Sequence, residues 1–277
     1  MDAVKRAPVS GNRGDDHLSS AARTVTDVRA DDESEANMSQ PFLQAALNGD
    51  REHPATPRSP EAIARQAAAA VAAGARSVHV HPYDRHGRQS LDATVCAATL
   101  RAVRAACPGV PISLTTSADV EPDPQRRLDQ VAAWTEWPDL VTANQGEEGI
   151  VELCELLIAR GVGIEAGLLR WRDAELFVAS GLVSRCVRLM VEPLDADPDD
   201  AIAHAERIER IVSDAGITLE QVHHGDGIAS WAVNARALGR GHGIRTGLED
   251  TPVLPDGRTA RDNAELVAAA VELIAAH

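Results

Sequence analysis

The chain has 277 residues, 44% hydrophobic and 25% charged, with 27 Lys+Arg against 42 Asp+Glu for a net charge of −15. That leaves room for one large domain, and a (β/α)8 barrel takes about 250 residues. So acidic a chain repels phosphate backbones and anionic lipid, which excludes nucleic acid and membrane surfaces as first readings.

No apolar run approaches the roughly 20 residues of a membrane span. The N-terminus lacks the apolar stretch of a secretion signal, so the expected location is the cytoplasm. The four cysteines (Cys96, Cys107, Cys154, Cys186) are scattered through apolar stretches and form no CxxC pair. They read as buried free thiols of a reducing compartment. Aromatics are only 3%, so alanine, valine and leucine must build the core.

Residues 1–39 hold Asp15-Asp16 and Asp31-Asp32-Glu33 with almost no periodic apolar pattern, and are expected to be a disordered extension. Met38 precedes the first apolar run and is a candidate natural start. Residues 40–277 are expected to be the single folded domain. Phe42–Leu47 reads as a strand. Ser59 then caps a helix with Pro60 at its first position, running to Gly74. The same alternation continues: strands at 77–81, 111–115, 140–142, 163–166, 186–191, 221–224 and 244–246. Helices follow them at about 92–106, 125–134, 147–160, 173–180, 199–215, 230–238 and 262–275.

Eight strand–helix units in a row force parallel pairing through right-handed crossovers. They close most simply into a (β/α)8 barrel, with a doubly wound open sheet as the alternative. No GxGxxG follows the first strand and no GxxxxGK[ST] occurs, which removes support from the nucleotide-binding open sheets.

In a barrel the chemistry sits at the C-terminal ends of the strands. His79-Val80-His81 ends the second. Residues i and i+2 share one face of a strand, so both imidazoles converge on the barrel interior near its mouth. Two imidazoles and a nearby carboxylate suit a borderline metal such as Zn²⁺ with one open position. The plain alternative is a pair of hydrogen-bonded interior histidines. Glu249-Asp250 follows the eighth strand, four residues after Arg245. One carboxylate could ligate and the other act as a base or orient the arginine; an exposed acidic loop is the competing reading. The run His223-His224-Gly225-Asp226-Gly227 could place a further ligand or acid–base group, or be a solvated turn. Thr115, Thr116 and Ser117 end the third strand, Thr142 and Asn144 the fourth, Glu165 the fifth, and Glu192 follows the sixth.

Several of these pieces together are familiar. Ala-Ala-Leu-Asn-Gly at 45–49, Gly-Ala-Arg-Ser-Val-His-Val-His at 74–81, Thr-Ala-Asn at 142–144, Ile-Arg-Thr-Gly-Leu-Glu-Asp at 244–250 and Asp-Asn-Ala-Glu-Leu-Val at 262–267 resemble the β-keto acid cleavage enzymes. The resemblance runs from about Phe42 to the C-terminus. It implies a (β/α)8 barrel, cytoplasmic and homo-oligomeric, carrying Zn²⁺ or another divalent metal. The implied reaction condenses a β-keto acid with acetyl-CoA and releases acetoacetate and a new acyl-CoA. By the same resemblance His79, His81 and Glu249 are the metal ligands. Asp250, paired with Arg245, removes the proton between keto group and carboxylate. Thr115, Thr116 and Thr142, with Asn144 beside them, hold the substrate's oxygens. Glu52 contacts its variable end. The sequence departs from the family pattern at Tyr83, where many relatives carry arginine, and at the shorter 224–227 loop.

A metal-dependent hydrolase of the amidohydrolase kind is the competing enzyme. It needs a bridging lysine, and Lys5 is the only lysine. A non-catalytic barrel that binds a small acid is the third reading.

Overall fold

In the computed structural model, residues 40–277 are described. The expected disorder of residues 1–39 and the candidate start at Met38 fall outside the described residues. Eight strands pair in parallel in chain order: β1 (Leu43–Ala46), β2 (Ser77–Val80), β3 (Ile112–Thr115), β4 (Leu140–Asn144), β5 (Gly163–Leu168), β6 (Arg188–Val191), β7 (Glu220–His223) and β8 (Gly243–Thr246). β8 returns to pair with β1, with Gln44 opposite Arg245, and the barrel closes. The open-sheet alternative is thereby set aside.

Among the described residues eight helices wrap it: α1 (Pro60–Ala73), α2 (Ala93–Ala106), α3 (Pro124–Ala132), α4 (Ile150–Ala159), α5 (Trp171–Ala179), α6 (Pro198–Asp214), α7 (Ala229–Gly239) and α8 (Asn263–Ala275). Their starts follow local chemistry. Ser59 accepts from the Ala62 N–H and Pro60 opens α1. Asp197 and Pro198 do the same for α6. Helix α4 begins three residues later than the sequence suggests. Glu147 is drawn aside to accept from the Ala118 N–H (2.9 Å) and Asn144 Nδ2 (3.0 Å). Strand β6 likewise begins at Arg188, because Val183–Arg185 closes a tight 3₁₀ turn first.

The strands alternate because their two faces meet different surroundings. Val78, Val80, Ile112, Leu114, Val141, Ile164 and Leu189 join Ala67, Leu100, Val103, Leu157 and Ile208 of the helices in one apolar core. As the composition requires, alanine, valine and leucine supply most of it, and all four cysteines are buried and free. The barrel interior carries hydrophilic groups instead of the usual branched aliphatics. Gln44 Nε2 donates to Glu165 Oε1 (2.9 Å) and Ser113 Oγ to Glu165 Oε2 (2.6 Å) across the lumen.

Two glycines let the chain close over the mouth. At Gly247 (φ +158°) a Cβ would stand 1.9 Å from the Ala46 carbonyl oxygen. At Gly49 (φ +119°) a Cβ would stand 2.8 Å from Glu249 Cγ. Only residues without a side chain bring the end of β8 this close to the end of β1.

Candidate active site

His79, His81, Thr115, Thr142, Asn144, Glu192, Arg245 and Glu249 meet at the C-terminal end of the barrel, around a cavity of about 220 Å³. The period-two placement of His79 and His81 brings their rings to 5.2 Å between centroids at 78°. His79 Nε2 lies 3.6 Å from Glu249 Oε2 and His81 Nε2 3.4 Å from Glu249 Oε1. One ligand atom from each of the three lies within 4.8 Å of the others.

The far side of each ring is tied down. His81 Nδ1 sits 2.5 Å from the Gln89 carboxamide oxygen, and His79 Nδ1 sits 3.0 Å from Ser113 Oγ. Each ring therefore presents Nε2 to Glu249, while Glu249 Oε2 is buried and receives no hydrogen bond. Three electron-pair donors facing one another with an orphaned carboxylate oxygen fit a small divalent cation, and the bonds at Nδ1 are those that orient a metal-bound histidine. Burial holds the His79 imidazolium pKa down to about 3. Burial pushes the same way at His81, but the Glu249 carboxylate and the bond that the ring donates to the Gln89 oxygen outweigh it and raise the pKa. Burial also works against the Glu249 charge, and Arg245 overrides it, holding the carboxyl well below the usual range.

Arg245 joins the two carboxylates of its loop. Its NH2 donates to Glu249 Oε1 and to Asp250 Oδ1, both at 2.7 Å, and Nε lies 3.2 Å from both Asp250 oxygens. Arg245 and Asp250 are almost wholly buried. Burial would raise the Asp250 pKa, but Arg245 and then His224 lower it, so the base candidate is ionised at neutral pH.

His224 is the residue whose place sequence reasoning left open. It is fully buried, with Nδ1 3.3 Å from Asp250 Oδ1 and Nε2 3.5 Å from Glu192 Oε2. His223 turns the other way, to Gln221 Oε1 (3.1 Å), and stacks on His242. Neither is the solvated turn that the glycines would allow. Gln89 was not anticipated either. The turn at Asp84–Gly87 reverses the chain so that Gln89 pairs with Tyr83, and the Asp84-x-x-Gly87 pattern was the signal for it.

Thr115, Thr142 and Asn144 line the cavity. Thr116 is buried beside it and donates to the Thr142 carbonyl (3.1 Å), bracing β3 on β4. Glu52 is exposed and outside the cavity lining; Asp50 and Arg51 stand there instead. Arg51 is held inward by Asp226 and by the carbonyls of Glu249 and Asp250, which turns the next side chain out. Trp134 Nε1 donates to the Leu91 carbonyl and Trp231 Nε1 to that of Val253.

A parallel eight-stranded barrel with a His-His-Glu cluster beside an Arg–Asp pair at its catalytic end is the framework of a barrel enzyme. The sequence model of the beta-keto acid cleavage enzymes matches residues 41–152 and 166–277, and the chain belongs to that family. It is 28% identical over 258 residues to the 3-keto-5-aminohexanoate cleavage enzyme of Fusobacterium nucleatum subsp. nucleatum, covering 85% of this chain and 92% of that one. Among solved structures it is similar to apo ObcA (TM-score 0.63, 20% identity, 79% of this chain and 61% of that one). It is also similar to the ternary complex of ObcA with a C4-CoA adduct and oxalate (TM-score 0.65, 18% identity, 81% and 64%). These two likenesses concern the fold, and the chain spans about three fifths of the length of ObcA. Among the described residues no helix is long and apolar enough to cross a membrane.

Proposed function

We propose that the protein takes a β-keto acid and acetyl-CoA and forms acetoacetate and the CoA thioester of the remaining acyl group. The two acyl groups exchange partners, so R–CO–CH₂–COO⁻ and acetyl-CoA become R–CO–CoA and acetoacetate. The observation that carries the reading is the convergence of His79, His81 and Glu249 within 4.8 Å beside the Arg245–Asp250 pair. His79, His81 and Glu249 would hold a divalent ion, Zn²⁺ by donor type. When bound, it would supply a Lewis acid for the keto and carboxylate oxygens of the substrate.

This chain's own groups do the rest. Asp250 Oδ1 or Oδ2 takes the proton from the carbon between keto group and carboxylate. Arg245, donating to Asp250 through two nitrogens, fixes that carboxylate and places positive charge where the substrate gains negative charge. Thr115 and Asn144 offer hydroxyl and amide groups to the substrate's oxygens, with Thr142 beside them in the cavity lining. CoA as the second substrate gains support from the CoA adduct in the ObcA complex.

The test is acetoacetate release from a panel of β-keto acids with and without acetyl-CoA. Release that requires acetyl-CoA for at least one of them is expected. Hydrolysis without it would overturn the reaction.

A further inference from the structure

We propose that Glu165 is a positioning residue that decides which nitrogen of His79 carries the ring proton. It lies on β5, completely buried, and does not reach the cavity. The inference rests on the metal-site reading for its purpose, but the proton position is a property of the chain by itself.

The argument is a count of protons. Glu165 accepts three hydrogen bonds: from Gln44 Nε2 at Oε1 (2.9 Å), and from Ser113 Oγ (2.6 Å) and Thr142 Oγ1 (3.1 Å) at Oε2. Its charge faces Arg188 Nε at 3.8 Å. The two hydroxyls also lie 3.3 Å from each other, but each has one proton, and the ionised carboxylate is the closer and stronger acceptor for both. The lone pairs of both oxygens are left facing outward. What they face is His79 Nδ1, 3.0 Å from Ser113 Oγ and 3.3 Å from Thr142 Oγ1. Two acceptors around one ring nitrogen require that nitrogen to be N–H. In the neutral ring Nε2 is then a bare lone pair, aimed at Glu249. His81 reaches the same state in one step, through the Gln89 oxygen. His79 needs a carboxylate two bonds away, because a hydroxyl alone can donate or accept and fixes nothing.

Exchanging one atom reverses the count. In Glu165→Gln the amide oxygen stays with Gln44 Nε2, so the amide N–H points at Ser113 and Thr142. Their oxygens then accept, their protons swing to His79 Nδ1, and the ring proton moves to Nε2.

The experiment reads ¹⁵N spectra of the metal-free full chain at neutral pH, the His79 signal being assigned by its loss in His79→Ala. Zn²⁺ affinity is measured alongside. Wild type is expected to show His79 protonated at Nδ1. Glu165→Gln should show it at Nε2 and bind Zn²⁺ about 10–100-fold more weakly. His79 protonated at Nδ1 with wild-type Zn²⁺ affinity in Glu165→Gln would overturn the proposal. The double variant Ser113→Ala/Thr142→Val keeps Glu165 and decides the matter if circular dichroism finds Glu165→Gln unfolded. It should lose the fixed Nδ1 proton, and an unchanged spectrum would overturn the proposal equally. If wild type takes up no Zn²⁺, the metal reading fails alone, and the metal-free spectra still decide the role of Glu165.

Discussion

Glu209 and Glu249 are two acidic side chains ringed by arginine and histidine, one on the outside of the barrel and one at its mouth. Glu209, on α6, accepts from Arg236 at Oε2 (2.6 Å), and from Arg240 (2.6 Å) and His242 (3.3 Å) at Oε1. Both oxygens are occupied, and the cluster ties α6 to α7 and to the entry of β8. Glu249 receives Arg245 at Oε1, but Oε2 has no donor while two imidazole nitrogens face the carboxylate. The same residue types make a closed brace in one place and an open site in the other. The difference lies in which atoms are left over, and a buried atom without a partner marks function better than the residue type does.

Breaking the open site should have the largest effect. Glu249→Gln, or His79→Ala with His81→Ala, is expected to remove the metal and all measurable activity. Circular dichroism should stay unchanged, since the apolar core lies between strands and helices and these side chains stand at the mouth. Elemental analysis of purified variants checks it; equal metal in wild type and the double histidine variant would dismiss these ligands. Asp250→Asn is the next largest. It should keep the metal and lower kcat by roughly 10²–10⁴-fold, the usual worth of a positioned base. Wild type should exchange the substrate's middle-carbon hydrogens with D₂O in the absence of acetyl-CoA. The Asn variant should not. Arg245→Lys should also slow the reaction, because an ammonium cannot reproduce the fork that spans Glu249 and Asp250.

The closed brace predicts a smaller effect of another kind. Glu209→Gln should leave kcat unchanged and lower stability by about 1 kcal/mol, since Arg240 is half-exposed and screened. That corresponds to roughly 2–4 °C in Tm. Burial would raise the Glu209 pKa, but Arg236, Arg240 and His242 lower it from the ordinary 4.5 to about 2. A depressed folded-state value means the unfolded chain binds the extra proton first as pH falls. The brace therefore contributes fully above about pH 5 and fades between 4.5 and 2. The Tm gap between wild type and Glu209→Gln should shrink over that window, and a constant gap would refute the brace.

The parts of this structure governed by short-range rules were legible in the sequence. His-x-His needs only the two-residue period of a strand, and the Ser59-Pro60 start of α1 needs only the chemistry of a helix cap. Eight alternations sufficed for closure, because parallel strands with helical crossovers have few other solutions. What stayed hidden depends on register across strands. Nothing local says that His224 is wedged between Glu192 and Asp250, since those residues come from the ends of β6, β7 and β8. The interior role of Glu165 is hidden for the same reason: its partners lie 23, 52 and 121 residues away. The loop after β1 misled in a different way. The resemblance assigns Glu52 to the substrate's variable end, and the choice between Glu52 and the Asp50 that lines the cavity rests on contacts of Arg51 with the β7 and β8 loops.

That choice gives the smallest predicted effect. Arg51 is anchored by Asp226 and by the carbonyls of Glu249 and Asp250, and its own carbonyl accepts from Thr56 Oγ1 (3.2 Å). With Arg51 fixed inward and Asp50 in the cavity lining, Glu52 is left exposed to solvent. An exposed side chain with no partner on the cavity wall should move kcat/KM by no more than about twofold, the scale of an ordinary surface change. Glu52→Gln should therefore preserve the ranking of cationic and neutral β-keto acids. Asp50→Asn should shift that ranking toward neutral substrates, because a carboxylate on the cavity wall disfavours a far end that cannot pair with it. The two variants, measured on the same panel, separate the assignments. A ranking changed by Glu52→Gln and untouched by Asp50→Asn would show that the loop rearranges when substrate binds and that Glu52, not Asp50, reads the far end.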